Sequence, residues 1–342
     1  MHPEAEMGRY LTTLGYANAP QMLGEVTRIG ADGTRHTMMM LQQFIHNQGD
    51  AWQWMLDTLA RWIQQAAMPE TAAASETSTD ISDPQDDLVQ LATRLGQRLG
   101  EMHAALATPT DNPDFAPEAA TEEDTQDWAE MARRQLEAAF DVISARTEWS
   151  SDAEARRVSW LIGMREQLLQ KLDELAAAGV GALRIRIHGD FHLGQVLVAH
   201  GDVYIVDFEG EPAKPLDQRR GKASPMRDVA GLMRSFDYAA AFGGGAGPAD
   251  LDEAAELRKQ GIIRSFAPIC QAAFLDAYRA AAYTGPLKLA PEQELCLLQL
   301  FVLEKAGYEI CYEAANRPAW IAVPMNGLAK IADELLNVAG GE

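Results

Sequence analysis

The densest run of polar side chains in the sequence is His188-Gly189-Asp190-Phe191-His192-Leu193-Gly194-Gln195, followed one turn later by Asp207-Phe208-Glu209-Gly210. Its types and spacing suit phosphoryl transfer. One carboxylate takes or orients the proton of an attacking hydroxyl, while amide and carboxylate oxygens hold Mg²⁺ against phosphate. Asp190, Gln195 and Asp207 are the candidates for these tasks. Taken singly, His188 or Asp207 reads as ordinary turn or cap chemistry. Together, the four positions specify a site.

The spacing is His, one residue, Asp, four residues, an amide side chain, and a second Asp one hairpin later. That is the order of the protein kinase catalytic loop. Gln195 stands where that loop has Asn, so the amide oxygen is carried one methylene further out. A transition metal is the competing reading, because His188, Asp190 and His192 share one face of an extended strand. The hard oxygen ligands and the arrival of Asp207 favour Mg²⁺.

These residues need elements to position them. Leu183–Ile187 and Val203–Val206 are short β-branched runs that read as strands flanking the cluster. Upstream, residues 3–15 read as a helix. Strands over 22–29 and 36–45 are joined by Gly30-Ala31-Asp32-Gly33, a tight-turn signal. Asp50 caps a following helix. Residues 66–86 have the polar, small-residue composition of a solvated linker. Apolar spacing at three and four predicts helices over 87–107, 122–147, 151–178, 251–283, 291–315 and 325–338. The expected fold class is α+β: a small first part (1–46) and a large, mostly helical remainder (47–342).

The bulk composition narrows the function. The chain has 342 residues, is 47% apolar and carries seven tryptophans, enough for a sizeable core. A formal net charge of −21 repels phosphate backbones, so nucleic acid is not an expected partner. A nucleotide bridged by Mg²⁺ remains compatible. No apolar run reaches membrane-spanning length, and the start is not a basic-then-apolar leader, so a cytoplasmic protein without membrane contact is expected. Cys270, Cys296 and Cys311 lack metal-ligand spacing and read as reduced thiols.

The motifs resemble those of bacterial maltokinases, within the kinase-like superfamily that includes aminoglycoside phosphotransferases and choline kinases. The runs that carry the likeness are Ile187–Leu197, Asp207–Pro212, Ser224–Tyr238, Leu41–Trp52 and Tyr308–Trp320, so it spans essentially the full chain. The resemblance implies a protein-kinase-like fold and an ATP- and Mg²⁺-dependent transfer to maltose, giving maltose 1-phosphate for α-glucan or trehalose metabolism. It implies catalytic roles for Asp190 and His188, and Mg²⁺ ligation by Gln195 and Asp207. Glu209 would support the metal or nucleotide. Gln43 and Phe44 would form the hinge beside adenine. His192 would line the sugar pocket with Lys305, Tyr308, Glu309, Tyr312, Glu313, Asn316 and Arg317. A trehalose synthase, fused or associated, is the implied partner. Arg227-Asp228 reads as a brace for the catalytic loop.

The helix residues of that set recur at three and four, forming a polar and aromatic stripe. Such a stripe suits a sugar, which wants an apolar face and many hydrogen bonds. It equally suits a solvated face. The chain departs from the kinase pattern in one respect. Its first lysine is Lys171, and no Gly-rich loop precedes residue 24. The helix glutamate would be Glu4 or Glu6, with its lysine upstream of Met1, so the nucleotide-covering part appears as missing and weak ATP binding is expected. The alternatives are a phosphotransferase on another small hydroxylated molecule, or a non-catalytic kinase-shaped partner domain.

Overall fold

The computed structural model describes residues 2–67, 83–245 and 252–336. In chain order the elements are α1 (Pro3–Leu14), β1 (Met22–Ile29), β2 (Arg35–Gln42), α2 (Ala51–Ala67), α3 (Pro84–Leu106), β3 (Glu118–Ala119), α4 (Glu122–Ala145) and α5 (Asp152–Ala177). They continue with β4 (Leu183–Arg184), β5 (Val196–Ala199), β6 (Asp202–Ile205), α6 (Leu216–Arg219), α7 (Met226–Gly243), α8 (Glu253–Ala282), α9 (Pro291–Asn316) and α10 (Ala322–Leu336). Local chemistry accounts for several boundaries. Pro3 opens α1, with Glu4 and Glu6 in its first turn complementing the helix dipole. Gly15 closes it at φ +72°, a left-handed cap. Asp50 accepts the Gln53 N–H at 2.8 Å ahead of α2, and Thr121 with Asp124 forms a capping box at the start of α4.

The described chain divides into two compact units. The first comprises Met1–Pro117, Ile185–Ala223 and Ser235–Lys288. Its helical core is the crossing of α3 and α8. A Cβ at Gly96 would lie 2.1 Å from the Phe274 carbonyl oxygen, and one at Gly100 would lie 2.8 Å from that of Tyr278. The two backbones therefore touch where glycine recurs one turn apart. His103 Nδ1 and the Tyr278 hydroxyl meet at 3.1 Å inside that crossing. β1 and β2 form an antiparallel ribbon in the same unit. Successive residues Met38 and Met39 are 59% and 68% exposed, so both faces of the ribbon meet solvent. β5 and β6 pair antiparallel, turned by His200 and Gly201 at positive φ.

The second unit comprises Glu118–Arg184, Ser224–Arg234 and Leu289–Glu342. It is a helical assembly of α4, α5, α9 and α10, with β3 pairing β4. α9 approaches α4 closely at Gly307, where a Cβ would fall 2.9 Å from the Gln135 backbone. Trp128 and Phe301 pack edge-on there, with centroids 5.6 Å apart.

Two expectations change. The strand read over 183–187 extends only through Arg184, followed by a single bridge from Ile185 to Ala223. Beyond that point the Arg186 side chain turns into the interior toward Glu6, and among the described residues no ladder partner runs alongside. The second hairpin strand ends at Gln42 rather than 45, after which Gln43 N–H makes a last bond to Gln21 at 2.8 Å. Of the linker read over 66–86, residues 68–82 lie outside the described residues. No helix among the described residues is long and apolar enough to cross a membrane.

Candidate active site

The loop after Ile187 is held by His188, which is 1% exposed. Its Nε2 donates to the Val206 carbonyl at 2.9 Å, and its Nδ1 accepts the Asp190 N–H at 3.4 Å. Both ring nitrogens are thus occupied by backbone groups, and the two bonds fit a neutral ring with its proton on Nε2. This removes the transition-metal alternative for His188. The ring instead fastens the Asp190 loop to the end of the β5–β6 hairpin. Phe191 and Phe208 flank it at 5.3 and 5.2 Å. Gly189 makes the turn at φ +84°, a region open to glycine. A Cβ there would sit 3.5 Å from Gly210 Cα, so the two chemistry-bearing loops lie side by side.

Asp190 is half-buried at the head of this loop. Leu193 N–H donates to Ser235 Oγ at 3.1 Å, and His192 Nδ1 accepts the Gly194 N–H at 3.1 Å. That second bond gives His192 a loop-capping task beside the sugar-lining role the motifs imply. Gln195 follows in a short 3₁₀ turn, and its carbonyl takes the Val206 N–H at 3.0 Å. This bond brings Gln195 to the strand exit that presents Asp207. Asp207 has φ +66°, in the left-handed region that Asp tolerates better than most residues. Among the described residues, no hydrogen bond engages the Gln195 amide or the Asp207 carboxylate. One free carboxylate and one free amide oxygen fit Mg²⁺, which keeps most of its positions for water and phosphate.

Glu209 sits at a partly exposed position. Arg219 reaches its carbonyl at 3.4 Å and its carboxylate at 3.7 Å, and His2 lies 3.6 Å away. The two α1 carboxylates have different surroundings. Glu6 accepts from Arg186 Nη1 at 2.8 Å and from Arg220 Nε and Nη2 at 2.9 and 2.7 Å. Burial pushes its carboxyl up, but the hydrogen bonds from Arg220 and Arg186 outweigh this and hold it below the usual range. Glu6, read from the motifs as a cofactor-site residue, is therefore occupied by two arginines of its own chain. Glu4 accepts from the Gln42 amide at 2.9 Å. Burial raises its carboxyl, and the nearby charge of Asp207 adds to that, against the Gln42 bond and the Phe208 N–H. Glu4 is thus the α1 carboxylate beside Asp207.

Gln43 and Phe44 follow β2, both exposed, with Phe44 packed edge-on against His46 at 4.9 Å. Phe44, His46, Asn47, Gln48, His200 and Gly201 line an open cleft of about 540 Å³.

The α9 stripe belongs to the second unit and is partly turned inward. Glu309 is buried against Arg234, whose Nε and Nη2 donate at 2.9 and 2.8 Å. Glu313, 1% exposed, pairs bidentately with Arg317 at 2.9 and 2.6 Å. Asn316 donates to the Tyr312 carbonyl at 2.9 Å. Lys305 lies over Tyr308 at 5.2 Å, and Tyr308 stacks on Tyr312 at 6.1 Å. Arg317 lies 5.5 Å from both the Tyr312 and Trp320 rings. The aromatic members thus form the open side of the stripe, and the carboxylates its anchored side. Arg227, expected as a loop brace, bonds Glu304 at 2.7 Å within this unit.

Sequence reasoning missed Arg186, Arg220, Arg234 and Trp320. Arg186 gave no signal, since alternation in Arg184-Ile185-Arg186-Ile187 reads as a solvent face. Arg234 and Trp320 lay inside the quoted motifs without an assigned part.

Comparison with known proteins gives the family. The model of a phosphotransferase enzyme family, APH, matches residues 2–258. The chain is 27% identical over 335 residues to a glucosamine kinase of Streptacidiphilus jiangxiensis, covering 98% of this chain and 66% of that protein. It is 26% identical over 340 residues to a glucosamine kinase of Mycolicibacterium smegmatis, covering 97% and 72%. It thus spans about two thirds of the first relative's length. A solved glucosamine kinase in complex with glucosamine, ADP and inorganic phosphate superposes with a TM-score of 0.74 at 26% identity, over 96% of this chain and 68% of that one. A second crystal form gives 0.75 at 25% identity, over 98% and 70%. With its kinase-like α+β fold and the Asp190–Gln195–Asp207 arrangement, the chain belongs to the APH phosphotransferase family.

Proposed function

We propose that this protein is a sugar kinase, transferring the γ-phosphoryl group of ATP to a hydroxyl of an aminosugar of the glucosamine type. The observation that carries the reading is the fastened pair of loops that present Asp190, Gln195 and Asp207 side by side. The acceptor class follows from the likeness to glucosamine kinases over nearly the whole chain.

In this reading Asp190 accepts the proton of the attacking hydroxyl. His188 keeps the loop in place through Val206. The Gln195 amide oxygen and the Asp207 carboxylate would hold Mg²⁺, which when bound neutralises phosphate charge. Gln43 and Phe44 offer an edge and an aromatic face for adenine. On α9, Tyr308 and Tyr312, with Trp320 just after, supply the apolar face a sugar needs, and Lys305, Asn316 and Arg317 the polar groups. Glu309 and Glu313 act through their arginines, holding the stripe rather than touching the ligand.

Maltose is the second reading. The long motifs Ile187–Leu197 and Tyr308–Trp320 favour it, and a trehalose synthase partner rests on that same resemblance. The test is acceptor-dependent ADP release with Mg-ATP across glucosamine, maltose and glucose. Preference for glucosamine supports the first reading, preference for maltose the second, and no response to any sugar overturns both.

A further inference from the structure

We propose that Glu6 is a positioning residue for the reaction. From α1 it clasps the two backbone stretches that carry Asp190 and Asp207, through Arg186 and Arg220. The inference rests on the phosphotransfer reading of those two aspartates.

Arg186 stands two residues before His188 and is 1% exposed. Arg220 lies in the segment between Asp207 and Ser224. Glu6 joins them with three charge-assisted hydrogen bonds of 2.7–2.9 Å. Around this carboxylate the stems already meet. Ile185 and Ala223 exchange backbone bonds of 3.0 and 2.8 Å. Arg219 packs on Gly210 and donates to the Glu209 carbonyl. The clasp has its own support. The Arg186 guanidinium lies 4.9 Å over the Phe115 ring, and Phe115 stacks at 3.7 Å on Tyr10, one helical turn along α1 from Glu6. Asp114 sits 3.6 Å from Arg220.

Two guanidinium groups share this place because a carboxylate lies between them. Without its charge they repel in a site that water reaches poorly, and the cheaper adjustment is for the partly exposed Arg220 to leave. The segment from Glu209 to Gly221 then loses its tie to α1 through Arg220, and Asp207 loses its fixed relation to Asp190. A displacement of about 1 Å at reacting groups can cost roughly a hundredfold in rate. The α3–α8 crossing that builds the unit's core involves none of these residues, so the fold survives.

The test uses the full 342-residue chain. Glu6→Gln, Arg220→Ala and the double variant are compared for acceptor-dependent kcat, acceptor KM and amide hydrogen exchange. Each single variant is expected to lower kcat by about 10- to 100-fold with acceptor KM unchanged. Exchange should speed up over 186–192 and 205–222 while α3 and α8 stay protected. The double variant should be no worse than the poorer single one, and Arg220→Lys, keeping the charge without the fork, should fall between. Unchanged kcat in Glu6→Gln overturns the proposal, as does exchange accelerated uniformly across the chain. If the unaltered chain phosphorylates no sugar, the functional reading fails. The exchange comparison then still decides the clasp, and unchanged protection over 205–222 refutes it.

Discussion

The 185–223 segment and the α9 stripe were both marked by polar residues at regular spacing, and the structure treats them differently. The first is set by backbone. His188 bonds Val206, Gln195 bonds Val206, Ile185 bonds Ala223, and the side chains of Asp190, Gln195 and Asp207 are presented by that frame. The second is set by side chains paired to arginine, with Glu309 and Glu313 drawn into the interior. Spacing along a loop and hairpin specifies a backbone path and hence a site. Spacing at three and four on a helix specifies a face, and ligand pockets and ion-paired interiors both use such faces.

That difference can be tested by what each region's variants change. In the loop, Asp190→Asn should lower turnover by about 10²- to 10⁴-fold with the thermal midpoint unchanged. A coincident fall in the midpoint would mean that Asp190 is part of the frame rather than presented by it. In the stripe, Glu309→Ala should act on stability first. It removes the carboxylate to which buried Arg234 donates from Nε and Nη2, beside Gly327, where a Cβ would clash with the same guanidinium. Leaving one partner of such a pair costs about 3–5 kcal/mol, read by urea unfolding. A loss under 1 kcal/mol would return Glu309 to the ligand side of the stripe. Tyr312, at 44% exposed, should behave in the opposite way. Tyr312→Ala should raise acceptor KM by roughly 5- to 30-fold, the worth of about 1–2 kcal/mol of stacking, with little change in stability.

The smallest effect concerns pH. The Glu6 carboxyl is held below its ordinary 4.5 because the Arg220 and Arg186 bonds outweigh its burial. A lowered folded-state value gives stability that is present above the unfolded value and lost as pH falls through the folded one. The thermal midpoint of the unaltered chain should therefore exceed that of Glu6→Gln at neutral pH, and the gap should narrow below about pH 4.5. A gap constant down to pH 3 would show that the charge of Glu6 is not what holds the clasp.

Much of the molecule was legible in advance for physical reasons that can be named. The helix start at Asp50 announced itself through cap chemistry, and the long helices through their apolar period. The quartet His188, Asp190, Gln195 and Asp207 stood out because its residue types and spacing are those phosphoryl transfer uses, and the structure brings the two loops that carry it side by side. What stayed hidden was pairing over long sequence distance. Nothing near Glu6 announces Arg186 or Arg220, which lie 180 and 214 residues away. The strand read through Ile187 failed for the same reason, since β propensity cannot report that a ladder partner ends at Arg184. Nor does the sequence announce that Gly96 and Gly100 are where α3 admits the backbone of α8.

The central claim is that the Asp190 and Asp207 loops perform phosphoryl transfer to a sugar. It is met most directly by ADP release from Mg-ATP with and without glucosamine, in the unaltered chain and in Asp190→Asn. The account predicts glucosamine-dependent release that falls by about 10²- to 10⁴-fold in the variant. Release that is equal with and without acceptor, and equal in the two proteins, would contradict it.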